Sequence, residues 1–164
     1  MEIRAYTPDD NKEFLSFYEE LIKENDTQTL TAKEMAELIA KDEKKLENKH
    51  KYTHIFIALD EEEIVGYLAI KHIHFERIRH IAKMNLGVLK DYQENENIGS
   101  KLVEYAVQWA EENNIKRLEI LVLDADDNLE DLLEDLDFKK EGKRKQTIKI
   151  KDKYHDETIM VKEF

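Results

Sequence analysis

From Met84 to Leu123 the chain runs strand, polar loop, amphipathic helix, strand, and no other stretch constrains its fold as strongly. Ile98, Leu102, Tyr105, Ala106, Trp109 and Ala110 recur at spacings of three and four, which places them on one face of a helix ending near Asn113-Asn114. Leu118 to Leu123 is short and almost continuously apolar, as expected of a strand covered on both faces. A strand, a helix and a strand in so few residues pair in parallel through a right-handed crossover, so the spacing predicts an α/β sheet.

The flanking segments extend that sheet. A strand over Glu2 to Tyr6 meets Thr7-Pro8-Asp9-Asp10, where Thr7 can cap a helix whose first position is Pro8. That helix carries Phe14, Leu15, Tyr18, Leu21 and Ile22 as its apolar stripe. A second helix is expected from the Thr31 cap, with Glu34 as its reciprocal partner and Met35, Leu38, Ile39 and Leu46 along one side. His54–Leu59 and Glu63–Ile70, joined by Asp60-Glu61-Glu62, read as a hairpin, and a third strand runs from about Arg79 to Val88. A short helix with Leu129, Leu132, Leu133 and Leu136 precedes Phe138, and two strands near 143–150 and 157–162 close the chain.

No Ser/Gly/Pro-rich stretch and no long repeat divides the 164 residues, so residues 1–164 read as one domain. Composition narrows the function classes. With no cysteine, a disulfide, a thiolate zinc site and a cysteine nucleophile are excluded. The net charge of −12, with 26 Lys and Arg scattered among 38 acids, argues against non-specific nucleic-acid binding. No apolar run approaches the roughly 18 to 20 residues that span a bilayer, and the N-terminus reads as a strand rather than a secretion signal, so a cytoplasmic location is expected.

Over essentially the whole chain the element order resembles the GNAT N-acetyltransferase family. Val88-Leu89-Lys90-Asp91-Tyr92-Gln93, a polar loop, and Asn97-Ile98-Gly99-Ser100-Lys101-Leu102 look like the family's strand, pyrophosphate loop and central helix. Val122, Asp126, Leu132 and Asp137-Phe138, then Tyr154-His155-Asp156 with Met160, resemble its later segments. The resemblance implies a GNAT fold with a mixed central sheet of about six to seven strands and about four helices. It also implies acetyl-CoA as co-substrate, a primary amine of a small molecule or peptide as acceptor, and a homodimer. The cofactor residues it implies are Leu86, Val88, Gln93, Glu94, Asn95, Glu96, Asn97, Ile98, Gly99, Ser100 and Asp126.

Physical chemistry supports an anion at this loop. The first N–H groups of a helix lack intrahelical partners, and the helix dipole favours a phosphate there by roughly 0.3 to 1 kcal/mol. The family's loop is Gln or Arg, two residues, Gly, one residue, and Gly or Ala. Here Asn97 stands at the first glycine, which asparagine's tolerance of the left-handed region allows, while Glu94 stands at the Gln/Arg position with Gln93 one residue early. Glu94 and Glu96 would each repel a nearby phosphate by about 1 kcal/mol even in a water-like dielectric.

Acyl transfer to an amine needs a neutral nucleophile, a polarised carbonyl and a proton for the leaving thiolate. The family's tyrosine acid falls on Leu133 here, so Tyr92, His74 and Glu76 are the candidate catalytic groups, with His72 and His80 behind them. His72 and His74, two apart, would share a strand face, but no third ligand accompanies them and no metal is expected. Tyr105 and Trp109 read as core packing. Two further readings remain: a degenerate GNAT domain that binds a ligand or partner without catalysis, and a structural domain with an acidic surface.

Overall fold

A computed structural model describes residues 1–24, 26–42, 51–94 and 97–164. Seven strands, β1 (Glu2–Ala5), β2 (Lys51–Asp60), β3 (Glu63–Ile73), β4 (Ile81–Val88), β5 (Arg117–Leu123), β6 (Lys139–Ile150) and β7 (Lys153–Glu163), form one sheet in the order β1-β2-β3-β4-β5-β7-β6. Helices α1 (Asn11–Glu24), α2 (Ala32–Asp42), α3 (Lys90–Gln93), α4 (Ile98–Glu112) and α5 (Asp127–Asp135) connect them. The mixed sheet and the four longer helices match expectation. The closing strands are longer than the sequence suggests, and the expected polar loop after β4 begins instead as the single turn α3.

Local chemistry explains the element ends. The Thr31 backbone N–H donates to Glu34 Oε1 at 3.0 Å and the Glu34 N–H donates to Thr31 Oγ1 at 3.2 Å, the reciprocal cap that starts α2. Before α1, Thr7 and Asp10 close a 3-10 turn over Pro8–Asp10, and Arg4 donates to both Asp10 oxygens. Glu61 and Glu62, at φ 46° and 71°, close the β2–β3 hairpin in the left-handed geometry that suits twisted strands. Lys151 and Asp152, at φ 51° and 63°, do the same between β6 and β7. Leu46 of the expected second helix lies outside the described residues.

Two apolar layers sandwich the sheet. On one side α1 and α2 bring Phe14, Phe17, Tyr18, Leu21, Met35 and Ile39 onto Ile57, Tyr67 and Ala69. On the other, Ile98, Leu102, Val103, Ala106 and Ala110 of α4 cover Leu68, Ile70, Met84, Leu118 and Ile120. Leu38, expected on the core side of α2, is exposed, while Phe17 is buried beside Phe14.

The sheet holds one irregularity that matters for function. β4 pairs with β5 in parallel only at Ile81↔Arg117, Ala82↔Leu118 and Lys83↔Glu119. Beyond Lys83 the strands diverge, while β4 stays paired with β3 as far as Gly66↔Val88. The second half of β4 thus faces a gap in the sheet.

Candidate functional site

A cavity of about 360 Å³ opens at this gap, between the end of β4, the head of α4 and the wall of α5. Leu86, Val88, Gln93, Glu94, Asn97, Gly99, Ser100 and Asp126, eight residues implied by the resemblance, line it together. Ile98 does not: its side chain is fully buried beneath α4. Asn95 and Glu96 lie outside the described residues.

The head of α4 supplies free donors. Asn97 takes φ 52°, the left-handed conformation that a glycine would otherwise supply, and its side chain makes no capping bond. Its carbonyl accepts the Lys101 N–H at 3.0 Å, so the N–H groups of Ile98, Gly99 and Ser100 precede the first helical hydrogen bond. Gly99 permits close packing here, because a Cβ on it would lie 2.9 Å from Leu132 Cδ1 of α5. Acidic groups surround these donors: Glu94, Asp126, Asp131 and Asp135 all line the cavity. Burial raises the Asp126 carboxyl above its ordinary value, against the opposing effect of the Leu129 N–H that it accepts at 3.2 Å.

The carbonyls on the gap side of β4 are held by side chains. Gln93 Nε2 donates to the Val88 carbonyl at 2.9 Å and Gln28 Nε2 to the Leu86 carbonyl at 3.2 Å. Gln28 is itself buried. The Tyr67 hydroxyl donates to its Oε1 at 2.5 Å, and Asn85 Nδ2 donates to the Tyr67 oxygen at 2.9 Å. Burial drives the Tyr67 phenol well above its ordinary value, so it remains a neutral donor.

This network forms a wall between the first cavity and a second one of about 410 Å³ on the α1–α2 side of the sheet. Gln28 lines the first, Tyr67 and Asn85 the second, and Thr27 both. The second cavity runs along the open faces of β5 and β7, past Leu121, Leu123, Glu157 and Ile159. Sequence reading overlooked both Gln28 and Glu157. The first sits in a polar linker with no periodicity to mark it. The second could have been found as a carboxylate on the inward side of the alternation Glu157, Ile159, Val161.

The catalytic candidates are dispersed. Tyr92 packs half-buried against the α4 core and lines neither cavity. His74 lies three residues beyond Lys71, the β3 partner of Lys83 where the gap begins, and so about 10 Å along the strand from its edge and about 20 Å from the Leu86 level. Glu76 and His80 are exposed in the turns that follow. His72 and His74 do share a face, but in a packed cluster: His54 Nε2 is 3.0 Å from His72 Nε2, and His74 Nε2 is 2.8 Å from His72 Nδ1. Trp109 of α4 covers His54 and His72 while His74 stays exposed, and burial lowers His72 to about 4. Leu133, at the family's tyrosine position, is fully buried in the core.

The acetyltransferase (GNAT) family model matches residues 7–138. The chain belongs to the GNAT acetyltransferase family. Among solved structures it resembles a GNAT-family acetyltransferase from Streptococcus pneumoniae, at 26% identity and a TM-score of 0.79, over 99% of each chain. A ribosomal-protein-alanine N-acetyltransferase from Brucella melitensis matches at 18% identity and 0.79 over the whole of both chains. A GNAT phosphinothricin acetyltransferase from Sinorhizobium meliloti in complex with acetyl-CoA matches at 16% and 0.78, over 99% of this chain and 88% of that one. None of the curated proteins matches by sequence.

Proposed function

We propose that this GNAT protein transfers an acetyl group from acetyl-CoA to a primary amine of a small molecule or peptide, by direct attack in a ternary complex. One observation carries the reading: two cavities on opposite faces of the sheet converge on the unpaired half of β4. A cofactor in the first and an acceptor in the second would meet through the gap, with the reacting atoms held together rather than colliding from solution.

The residues present fit acetyl-CoA, which supplies an activated acyl thioester. The N–H groups of Ile98, Gly99 and Ser100 would hold its pyrophosphate, and the Leu86–Val88 backbone would border its pantetheine arm. Gln93, already bonded to the Val88 carbonyl, would fix the end of that strand. Glu94, Asp126, Asp131 and Asp135 oppose the phosphates, each by about 1 kcal/mol at close range in a water-like dielectric, so affinity should be modest. No tyrosine lines the first cavity among the described residues, and the thiolate would take its proton from the attacking amine.

The same acidic rim and the buried Leu133 favour a second reading, a GNAT domain that binds a ligand or partner without catalysis. Calorimetric titration with acetyl-CoA separates the two. Micromolar binding that is lost in Ser100→Trp, a bulky side chain placed in the first cavity, supports acetyl transfer. Absence of binding at millimolar acetyl-CoA leaves the non-catalytic domain.

A further inference from the structure

Glu157 is a carboxylate only 8% exposed, on the strand face that lines the second cavity. Its partner on β5 is Leu123, four residues past Glu119; Gly87 lies four residues past Lys83, the β4 partner of Glu119. Glu157 therefore stands level with Gly87, across the gap.

The neighbouring strand is deformed at this point. Arg144 pairs with Glu157 and Ile148 with His155, so Lys145, Gln146 and Thr147 together face Asp156 alone. Gln146 takes φ 53°, and its N–H donates to Asp156 Oδ1 at 2.9 Å. The bulge turns the Thr147 hydroxyl onto Glu157, where it donates to Oε1 at 2.7 Å. Bulges re-aim side chains beside active sites, and a left-handed glutamine is costly, so the distortion calls for a reason.

Among the described residues Thr147 is the one hydrogen-bond partner of the Glu157 side chain. No side-chain polar atom among the described residues is both buried and without a partner, so Oε2 keeps solvent access in a residue that lines the cavity. Arg144, opposite Glu157 on β6 and itself on the rim of the cavity, is exposed and makes no ion pair with Glu157 among the described residues. Lys71 and Lys83 line the far end of the cavity, at the Glu119 level, roughly 13 Å along the strands. The Thr147 hydroxyl occupies Oε1 alone, which leaves Oε2 able to accept from an ammonium. Phe14, Tyr18, Met35, Leu121 and Ile159 make the remaining walls largely apolar.

From this arrangement, and resting on the acetyl-transfer reading above, we propose that Glu157, aimed by Thr147, receives the ammonium of an aliphatic primary amine and takes its proton. One proton passes from the ammonium to the Glu157 carboxylate. The freed nitrogen lone pair forms a bond to the thioester carbonyl carbon as the carbon–sulfur bond breaks. The second nitrogen proton leaves with the thiolate as free thiol, and Glu157 returns its proton to solvent. Thr147 is a positioning residue.

The test compares wild type, Glu157→Gln and Thr147→Val on a panel of n-alkylamines, α,ω-diamines and lysine amide, followed by thiol release. Glu157→Gln should lose ~100-fold or more in kcat/KM, as expected on removing a general base. Its calorimetric affinity for acetyl-CoA should remain that of wild type, which also shows that the variant folds. The best amine, titrated into protein saturated with CoA, should bind Glu157→Gln about tenfold more weakly, a charge-assisted hydrogen bond being lost. Thr147→Val, which keeps the carboxylate, should fall roughly tenfold in kcat/KM at unchanged acetyl-CoA affinity. Glu157→Gln with wild-type turnover and amine affinity overturns the proposal. So does a wild type that binds acetyl-CoA but acetylates no amine of the panel. A wild type that does not bind acetyl-CoA refutes instead the reading on which the proposal rests.

Discussion

Gly87→Ala tests how tightly the wall between the two cavities is packed. A Cβ at Gly87 would lie 2.5 Å from Leu21 Cδ2, 2.9 Å from Tyr67 Cε1 and 3.1 Å from Gln28 Nε2. Leu21 and Gln28 border the first cavity and Tyr67 the second, but moving any of them breaks packing or hydrogen bonds in the wall. Leu21 and Tyr67 are each 2% exposed, and the Tyr67 ring is fixed by Gln28 and Asn85 and packed edge-on against Phe14, Phe17 and Tyr18. Relief must come from displacing β4 or breaking the Gln28 network, a cost of about 2 kcal/mol for an overpacked core. For a chain of this length that lowers Tm by roughly 4 to 8 °C. Urea denaturation should show a lower midpoint at unchanged slope. Gly99→Ala is the internal control. Its Cβ would meet Leu132 Cδ1 at 2.9 Å and nothing else within 4 Å, and Leu132 is half-buried and free to turn. It should stay within about 1 kcal/mol of wild type, helped by alanine's higher helix propensity. A Gly87→Ala protein as stable as wild type, or less affected than Gly99→Ala, would refute the packing argument.

Two further outcomes follow from buried side chains. Burial holds native His72 at about 4, with His74 and His54 adding to the effect, so between pH 6.5 and 4 the unfolded chain binds a proton that the native chain refuses. Stability should therefore fall as pH drops through that window, and His72→Phe should flatten the fall; urea midpoints at pH 7, 5.5 and 4.5 that move in parallel for both proteins would contradict this. Leu133→Tyr, which restores the family's hydroxyl, should lose about 1 to 3 kcal/mol because the site is fully buried, and should gain no turnover. A stable and faster Leu133→Tyr enzyme in a thiol-release assay would show that the position reaches the gap after all.

What the sequence disclosed was local. Thr31 with Glu34 and the α4 stripe each depend on neighbours within one or two helical turns and read directly from spacing, while the left-handed Asn97 is legible through the family's loop pattern. The features it concealed depend on distant segments meeting. Trp109 reaches across from α4 onto His54 and His72 and gathers the histidines of β2 and β3 into a packed cluster. Gln28 is polar and aperiodic, and its partner Asn85 lies 57 positions away. Glu157 acquires its setting only because β6 bulges, and β6 shows almost no alternation in its own burial.

That outer strand bears on how the protein keeps to itself. A sheet with two free margins can recruit further strands from other chains, the route to fibrils. Here one margin is β1, four residues long. The other is β6, whose sequence KKEGKRKQTIKI makes six of its twelve residues Lys or Arg, interrupted by the distortion at Lys145–Thr147. Any second copy docking edge to edge would stack cation on cation along an irregular ribbon. The same kink that turns Thr147 toward Glu157 thus also guards the sheet edge against runaway strand addition.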